Sequence, residues 1–93
     1  KGHALVVPRR HVASIYELSA GDQASLWAMV ADARHLLDND LHPDGFNIGL
    51  NDGLAAGQTI LHAHIHLIPR YSGDVPDPRG GVRWVISDKA RYW

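Results

Sequence analysis

The sequence feature that most constrains the fold is QTILHAHIHLIPR at residues 58–70, in which three histidines alternate with apolar residues. Successive side chains of a β-strand point to opposite faces of its sheet, so this spacing predicts a strand over residues 59–68. The residues expected on its apolar face are Leu61, Ala63, Ile65 and Leu67. The residues expected on its other face are His62, His64, His66 and Ile68. Three imidazoles are therefore expected to form a row on one side of a sheet.

The chain before this segment predicts an α+β domain. Residues 2–8 (GHALVVP) and 46–51 (FNIGLN) are short apolar segments next to turn residues, and both are predicted to be strands. Between them, Ser19 followed by Asp22 is typical of a helix N-cap, and Pro43 marks the end of the helix. The apolar stripe of this helix consists of Leu26, Met29, Val30, Ala33 and Leu37. The stripe is expected to face the core.

The chain after the histidines begins with a polar connection rich in Pro and Gly at residues 71–81. The segment VRWVI (82–86) is predicted to be a last strand or an extended segment. Trp84 and Trp93 lie in this part of the chain, where no contact is assigned to them, whereas Trp27 on the helix is expected to serve packing. Residues expected to lie at the surface are Arg9, Arg10, His11, His35, His42 and Arg70.

Composition limits the class of protein. The chain has 93 residues, 45% of them hydrophobic and 20% charged, with a formal net charge of -1, which indicates one globular domain over residues 1–93. This balance lacks the basic excess of a nucleic-acid clamp, and no apolar run approaches the roughly 18 residues of a membrane span. Cysteine is absent, which excludes disulfides and thiolate chemistry and favours a cytoplasmic location. Neither nucleic acid nor membrane is expected as a partner.

Three interpretations of the histidine row remain open. The side chains can be ordinary sheet histidines satisfied by water or neighbours. They can also bind zinc, although at about 3.3 Å per residue His62 and His66 are attached roughly 13 Å apart, so one ion could bind two of them and a third ligand such as His3. Alternatively, one neutral imidazole attacks an electrophilic phosphorus while its neighbours hydrogen-bond the phosphoryl oxygens.

Four segments resemble the histidine triad (HIT) superfamily: GHALVVPRRH, FNIGLN, AAGQT and HAHIHLIPR, in that order. The resemblance implies an α+β fold with an antiparallel sheet and one main helix. It also implies a homodimer whose sheet continues across the interface. Members of the superfamily have further amino-terminal strands that form the base and ribose pocket, so the chain is expected to lack its first strands.

The resemblance also implies roles for individual residues. His64 matches the nucleophile that forms a nucleotidyl-histidine intermediate, and its second ring nitrogen is expected to donate to the carbonyl of His62. His62 is expected to hydrogen-bond with His3, which supports the site from behind. His66 matches the histidine that contacts the phosphate or the leaving-group oxygen and can supply a proton. The residues that match the phosphate-binding positions are Asn51, Gln58 and Thr59.

The reaction implied is hydrolysis of dinucleoside polyphosphates at the α-phosphate, releasing a nucleoside monophosphate. Branches of the superfamily that transfer or phosphorolyse nucleotides carry Gln at the position of His66, so His66 favours a hydrolase. Gln58 and the segment PRYSGD (69–74) resemble the polyphosphate-hydrolase branch more than the phosphoramidase branch. No metal cofactor is required, although divalent cations can accompany the substrate's phosphates. The alternatives are a nucleoside phosphoramidase, a non-catalytic nucleotide-binding module and a zinc-dependent hydrolase.

Overall fold

The computed structural model describes residues 1–93 and contains one three-stranded antiparallel sheet and one long helix. The strands are β1 (Ala4–Val6), β2 (Gly45–Gly49) and β3 (Ile65–Arg70), and the helix is α1 (Ala20–Leu41). Four short 3-10 helices complete the chain, at Ile15–Glu17, Leu54–Ala56, Gly81–Val85 and Ser87–Lys89. The predicted α+β class and the predicted antiparallel sheet with one main helix are confirmed.

Strand β3 lies between the other two strands, in the order β1-β3-β2. His66 is therefore central in the sheet, with Leu5 as its partner in β1 and Gly49 as its partner in β2. The predicted alternation holds for this strand and the residues before it: Ala63, Ile65 and Leu67 are buried, while the histidines between them are half-buried. The sheet thus presents an apolar face to α1 and the imidazole face to the opposite side.

The predicted strand is too long at its start. Pairing with β1 begins at Val6 and Ile65, and residues 59–64 have no strand partner. Leu61 was expected on the apolar face but is 60% exposed, because its backbone precedes the ladder that fixes which face a side chain takes. The turn that carries Gln58 and Thr59 therefore runs directly into the histidine row.

Helix α1 begins and ends as the sequence predicts. The Ser19 hydroxyl accepts a hydrogen bond from the Asp22 amide at 3.1 Å, and His42 closes the helix in the left-handed region at φ 50° before Pro43. Its buried face is narrower than predicted, because only Leu26 and Val30 are fully buried. These two residues are one turn apart and contact a sheet of only three strands.

Two helix positions expected to pack are exposed. Met29 is 54% exposed and Trp27 is 42% exposed, so both expectations are wrong. Met29 is rotated by about 60° from Leu26 around the helix, and Trp27 by about 100°, which carries both away from the line of contact. Ala33 and Leu37, the remaining members of the stripe, are half-buried.

The main core lies between α1, the sheet and the loop that follows β1. Its members are Val6, Val12, Ile15, Leu18, Leu26, Val30, Ala63 and Ile65. Ala63 and Ile65 alternate with the triad histidines in the sequence. Burying these two residues therefore fixes the direction in which the imidazoles project on the other face.

The C-terminal segment is not a strand. Residues Gly81–Val85 form a 3-10 helix, which corrects the prediction of a strand or extended segment. Gly80 and Gly81 both have positive φ, 94° and 50°, and so turn the chain out of an extended path. The Arg83 guanidinium then donates to the carbonyls of Lys89 and Ala90, each at 3.0 Å, which folds this segment back on itself.

None of the helices is long and apolar enough to cross a bilayer.

Candidate active site

The His64 ring is fixed by a hydrogen bond to the backbone carbonyl two residues before it. Its Nδ1 donates to the carbonyl oxygen of His62 at 2.9 Å, the contact expected from the sequence. A neutral imidazole has one N–H, so a proton on Nδ1 leaves a lone pair on Nε2. The ring of His66 stands edge-on to that of His64, with centroids 4.9 Å apart. The middle histidine therefore has one nitrogen occupied and the other available.

His62 faces the loop after β1. Its Nε2 donates to the Pro8 carbonyl oxygen at 2.9 Å, and its ring stacks on His11 with centroids 4.6 Å apart and 16° between the planes. Next to it, the Ala63 amide donates to the Val12 carbonyl at 2.8 Å. The expected partnership of His62 with His3 is therefore wrong, because the loop after Pro8 occupies the space around this ring.

His3 contacts the other end of the row. Its Nε2 lies 3.0 Å from Nδ1 of His66, and the two ring centroids are 5.2 Å apart. The register explains this pairing: Leu5 is opposite His66, and His3 lies two residues from Leu5 on the same face, diagonally beside His66. His62 lies four residues before His66, beyond the reach of His3.

The environment of His66 disfavours its charged form. Burial lowers its pKa below the ordinary value, and the nearby rings of His64 and His3 lower it further because a second positive charge beside them is unfavourable. His66 is consequently neutral over a wider pH range than a solvated histidine. In the neutral state, its contact with His3 decides which of its ring nitrogens carries the proton.

Gln58 has a structural role that the sequence did not indicate. Its side chain is 3% exposed, its Oε1 accepts from the Gly53 amide at 2.8 Å, and its Nε2 donates to the carbonyls of Ala13 and Ile60 at 2.8 and 3.1 Å. Both amide hydrogens are therefore used inside the protein. The expectation that this side chain offers donors to phosphate is wrong, because Gln58 instead ties residues 53–60 to the loop after β1.

A cavity of about 470 Å³ lies in front of the row. Gly57, with φ 97°, forms part of its wall, and the Asn51 side chain lies beside it. The backbone N–H groups of Thr59 and Ile60 have no acceptor within the protein. The cavity is lined by His3, Leu5, Asn51, Gly57, Gln58, Thr59, Ile60, His64 and His66. It thus brings together all the expected site residues except His62, which lies behind it.

His11 is the residue of the site that sequence reasoning missed. It was expected at the surface, and it is exposed, but its ring covers one face of His62. The signal was available in the turn at Pro8, which directs residues 9–12 back toward the partner strand of β1. His35 and His42, also expected at the surface, are exposed and lie away from the cavity.

The Arg70 guanidinium is bonded to other side chains of the protein and is not free to attract a ligand. Its guanidinium makes two hydrogen bonds of 2.8 Å to the Asp74 carboxylate and one of 2.6 Å to Asn47 Oδ1. The Arg70 guanidinium holds the pKa of the Asp74 carboxyl well below its usual range. Arg9 and Arg10 are exposed, as expected. Arg70 thus joins the end of β3 to the turn that follows and to β2.

The zinc interpretation requires several ligands that converge on one point. No group of three or more His, Asp or Glu side chains in the chain is placed to hold one metal ion. His62 directs Nε2 at the Pro8 carbonyl, and His64 directs Nδ1 at the His62 carbonyl, so each ring has one nitrogen already engaged.

Two known proteins similar to this chain are named as enzymes of dinucleoside polyphosphates. An "AP-4-A phosphorylase" from Mycobacterium tuberculosis is 40% identical over 74 residues, covering 78% of this chain and 38% of that protein. An asymmetrical bis(5'-nucleosyl)-tetraphosphatase from Schizosaccharomyces pombe is 36% identical over 73 residues, covering 78% of this chain and 40% of that protein. The chain thus spans about two fifths of the length of these relatives.

A solved structure and a family model also match this chain. A crystal structure of a Zn-bound histidine triad family protein from Mycobacterium smegmatis superposes with a TM-score of 0.71 at 33% identity, covering 96% of this chain and 69% of that one. The family model described as HIT domain matches residues 1–73, which include both ends of the histidine row and the cavity in front of it. The chain therefore belongs to the HIT domain family.

Proposed function

We propose that the protein hydrolyses dinucleoside polyphosphates by attack of His64 on the α-phosphorus. The observation that carries the proposal is the hydrogen bond from His64 Nδ1 to the His62 carbonyl, because it leaves the Nε2 lone pair free in a ring that lines the cavity. Nucleophilic catalysis by an imidazole requires this unprotonated nitrogen. The names of the relatives, a tetraphosphatase and a phosphorylase of the same substrate class, support the choice of substrate.

In the first step, the Nε2 lone pair of His64 forms a bond to the α-phosphorus, and the bond from that phosphorus to the leaving nucleotide's oxygen breaks. The departing oxygen takes the proton of His66 Nε2 while Nδ1 of the same ring takes the proton of His3 Nε2, so His66 stays a neutral imidazole and His3 passes from imidazolium to imidazole. This relay requires Nδ1 of His66 to be an acceptor, so the 3.0 Å contact is assigned with His3 Nε2 donating. His3 then acts on the leaving group only through His66, as a positioning residue that replaces its proton.

In the second step, water attacks the same phosphorus and the bond to His64 breaks. The attacking water gives its proton to Nε2 of His66, which the first step left unprotonated, the Nδ1 proton of His66 returns to His3 Nε2, and a nucleoside monophosphate is released. Atoms and protons therefore balance over the cycle, and His66 acts first as acid and then as base. The surroundings of His66 lower its pKa and so disfavour its charged form, which suits a group that must be neutral before and after each turnover.

The phosphate oxygens are assigned to donors that the protein leaves unused. The amides of Thr59 and Ile60 lack internal acceptors, and the Asn51 side chain makes no hydrogen bond within the protein although it lines the cavity. Oriented N–H groups of this kind stabilise an anionic transition state without first having to reorganise. Gln58 contributes by holding this turn in place rather than by contact with phosphate.

A covalent intermediate gives the decisive test. The full-length protein is mixed with a dinucleoside tetraphosphate radiolabelled at the α-phosphate and denatured in alkali within the first turnover. Label is expected on the wild-type chain and absent from His64→Asn, with His35→Asn as the control at an exposed histidine. Label retained by His64→Asn, or turnover in the wild type with no labelled chain at any time, contradicts the mechanism.

A phosphorylase is the second candidate, because one of the relatives carries that name. Both reactions pass through the same attack, but phosphate instead of water then accepts the nucleotidyl group. With inorganic phosphate present, a hydrolase releases a nucleoside monophosphate and a phosphorylase releases a nucleoside diphosphate. Chromatography of the products separates the two. A nucleoside phosphoramidate as substrate tests the phosphoramidase alternative, and tight binding without release of any product identifies a binding module.

The zinc alternative has support from the Zn-bound relative, but the residues of this chain do not form a three-ligand site. We propose catalysis without a protein-bound metal, and divalent cations enter only with the substrate's phosphates. Treatment with a strong chelator, followed by removal of the chelator and assay with and without added zinc, is expected to leave the rate within about twofold. A rate restored only by zinc contradicts this.

We also propose a homodimer that pairs through β2. This strand forms one edge of the sheet, and its Ile48 side chain is 36% exposed on the face that α1 otherwise covers. An apolar edge strand without a neighbour is a surface on which a second copy can continue the sheet. Sedimentation velocity is expected to show a dimer for the full-length protein and a monomer for Ile48→Lys. A wild-type monomer at micromolar concentration contradicts the proposal.

A further inference from the structure

A second groove of about 650 Å³ joins the phosphate cavity at His66. His3, Asn51 and His66 line both spaces, whereas His64 lines only the phosphate cavity. The other walls of the groove are largely apolar. The apolar side chains on the imidazole side are those of Ile68, Val82 and Val85, and β2 and the residue after it line the groove at Ile48 and Leu50, whose side chains belong to the other face of the sheet. A ligand bound at the nucleophile therefore reaches this groove by passing His66.

The order of residues along the sheet gives the groove a direction. His64, His66 and Ile68 follow one another at two-residue steps on one face, about 6.6 Å apart each. In a displacement at phosphorus, the attacking and leaving atoms lie on opposite sides of the phosphorus. His64 is the proposed nucleophile and His66 donates to the leaving oxygen, so whatever that oxygen carries continues toward Ile68.

The far wall is built by the C-terminal 3-10 helix. Residues three apart lie above one another on a 3-10 helix, which places Val82 and Val85 on the same side. Both valines are well exposed, at 63% and 82%, and both line the same groove as Ile68. A group of neighbouring exposed apolar side chains marks a binding surface, whereas single ones do not. Side chains of this helix hold it to the chain around it: Arg83 donates to the carbonyls of Lys89 and Ala90, and Trp84 Nε1 donates to the Arg79 carbonyl at 2.7 Å.

We propose that this groove binds the apolar or aromatic body of the leaving group, such as the second base of a dinucleoside polyphosphate. The inference rests on the proposed function and deepens it. A leaving group of phosphate alone has no use for valine and isoleucine walls, whereas a base buries flat apolar surface against them. The volume lies within the range typical of small-molecule sites.

The proposal is tested by the ratio of two substrates. Val82→Thr/Val85→Thr keeps the shape of both side chains and makes the wall polar. Val7→Thr, at a half-exposed valine outside the groove, is the matched control. The kcat/KM for a dinucleoside tetraphosphate is divided by that for the corresponding nucleoside phosphoramidate, whose leaving group is ammonia. The ratio is expected to fall about tenfold in the double variant and to stay within twofold in the control.

An unchanged ratio in the double variant overturns the inference while leaving the proposed function intact. A shift from dimer to monomer in sedimentation, with both substrates affected equally, also overturns it and assigns the groove to a second copy of the chain. If the wild type turns over neither substrate, the proposed function fails instead. Calorimetry with a methylene-bridged dinucleoside tetraphosphate and with the mononucleotide then still tests the groove, because the double variant should weaken only the former.

Discussion

The two ends of the histidine row are held in different ways. At one end, His62 is fixed by the Pro8 carbonyl and by the stacked ring of His11. At the other end, the side chain of His66 has His3 as its one hydrogen-bonding partner and borders both open spaces. The closed end is supported by a backbone carbonyl and a stacked ring, whereas the open end borders space that a ligand could enter. In the proposed mechanism, the closed end places the nucleophile and the open end meets the substrate.

The largest expected effect belongs to His64, which lies between the two ends. His64→Asn removes the nucleophilic nitrogen, and kcat/KM for a dinucleoside tetraphosphate should fall by about 10⁴-fold or more. His35→Asn, a change at an exposed helix position, should stay within twofold. Steady-state kinetics on the two variants decides the matter, and activity of His64→Asn within tenfold of wild type would remove the basis of the proposed mechanism.

A substitution at the open end should change kcat rather than the stability of the fold. In His66→Asn the proton donor is lost, so kcat should fall by about 10²- to 10³-fold on a dinucleoside polyphosphate. The loss should shrink to below about tenfold on a nucleoside 4-nitrophenyl phosphate, whose leaving group departs without a proton. Equal losses on both substrates would show that His66 is not the acid. Thermal unfolding monitored by circular dichroism checks that the fold is retained.

The closed end should respond in stability. Gln58→Glu keeps the size of the side chain but removes both hydrogens that bond the carbonyls of Ala13 and Ile60. The substitution places a carboxylate against two carbonyl oxygens at a buried position, which should lower the free energy of unfolding by about 2–4 kcal/mol. Urea denaturation measures the change, and Thr59→Ala at the exposed neighbour should cost less than about 0.5 kcal/mol. A Gln58→Glu variant as stable as wild type would mean that this anchor is dispensable.

The smallest effect is the pH dependence at the open end. Because the folded protein lowers the pKa of His66, the unfolded chain binds the proton more readily. The corresponding stability is fully present above about pH 6.5 and is lost as the pH falls through the lowered pKa of the folded state. His66→Asn should therefore show a flatter stability profile than wild type below pH 6.5. Denaturation at a series of pH values measures it, and parallel profiles would contradict it.

Local patterns in the sequence predicted the features that depend on neighbouring residues. The alternation of buried Ala63, Ile65 and Leu67 follows from the two-residue period of extended chain, and the cap at Ser19 follows from its spacing to Asp22. The bond between His64 and the His62 carbonyl was expected from the family resemblance and spans only two residues. Each of these features is set within a few positions of the residues concerned.

Features that depend on distant parts of the chain were not predicted. The Gln58 amide is bonded to a carbonyl 45 residues away, and the partner of His3 is set by the register of β1 against β3. Nothing local to Gln58 distinguishes a buried anchor from a ligand donor, since both use the same amide. The prediction for residues 82–86 was wrong for a related reason. The apolar residues of VRWVI fit a strand as well as a 3-10 helix until the glycines before them are considered.

The strand order has a consequence for how the protein is made. The middle strand β3 is the last of these three to leave the ribosome, and β1 and β2 cannot make their bonds to it before it arrives. The three imidazoles are therefore not aligned against β1 and β2 until residue 70 has emerged. Joining the two outer strands and aligning the histidine row are thus one event during synthesis.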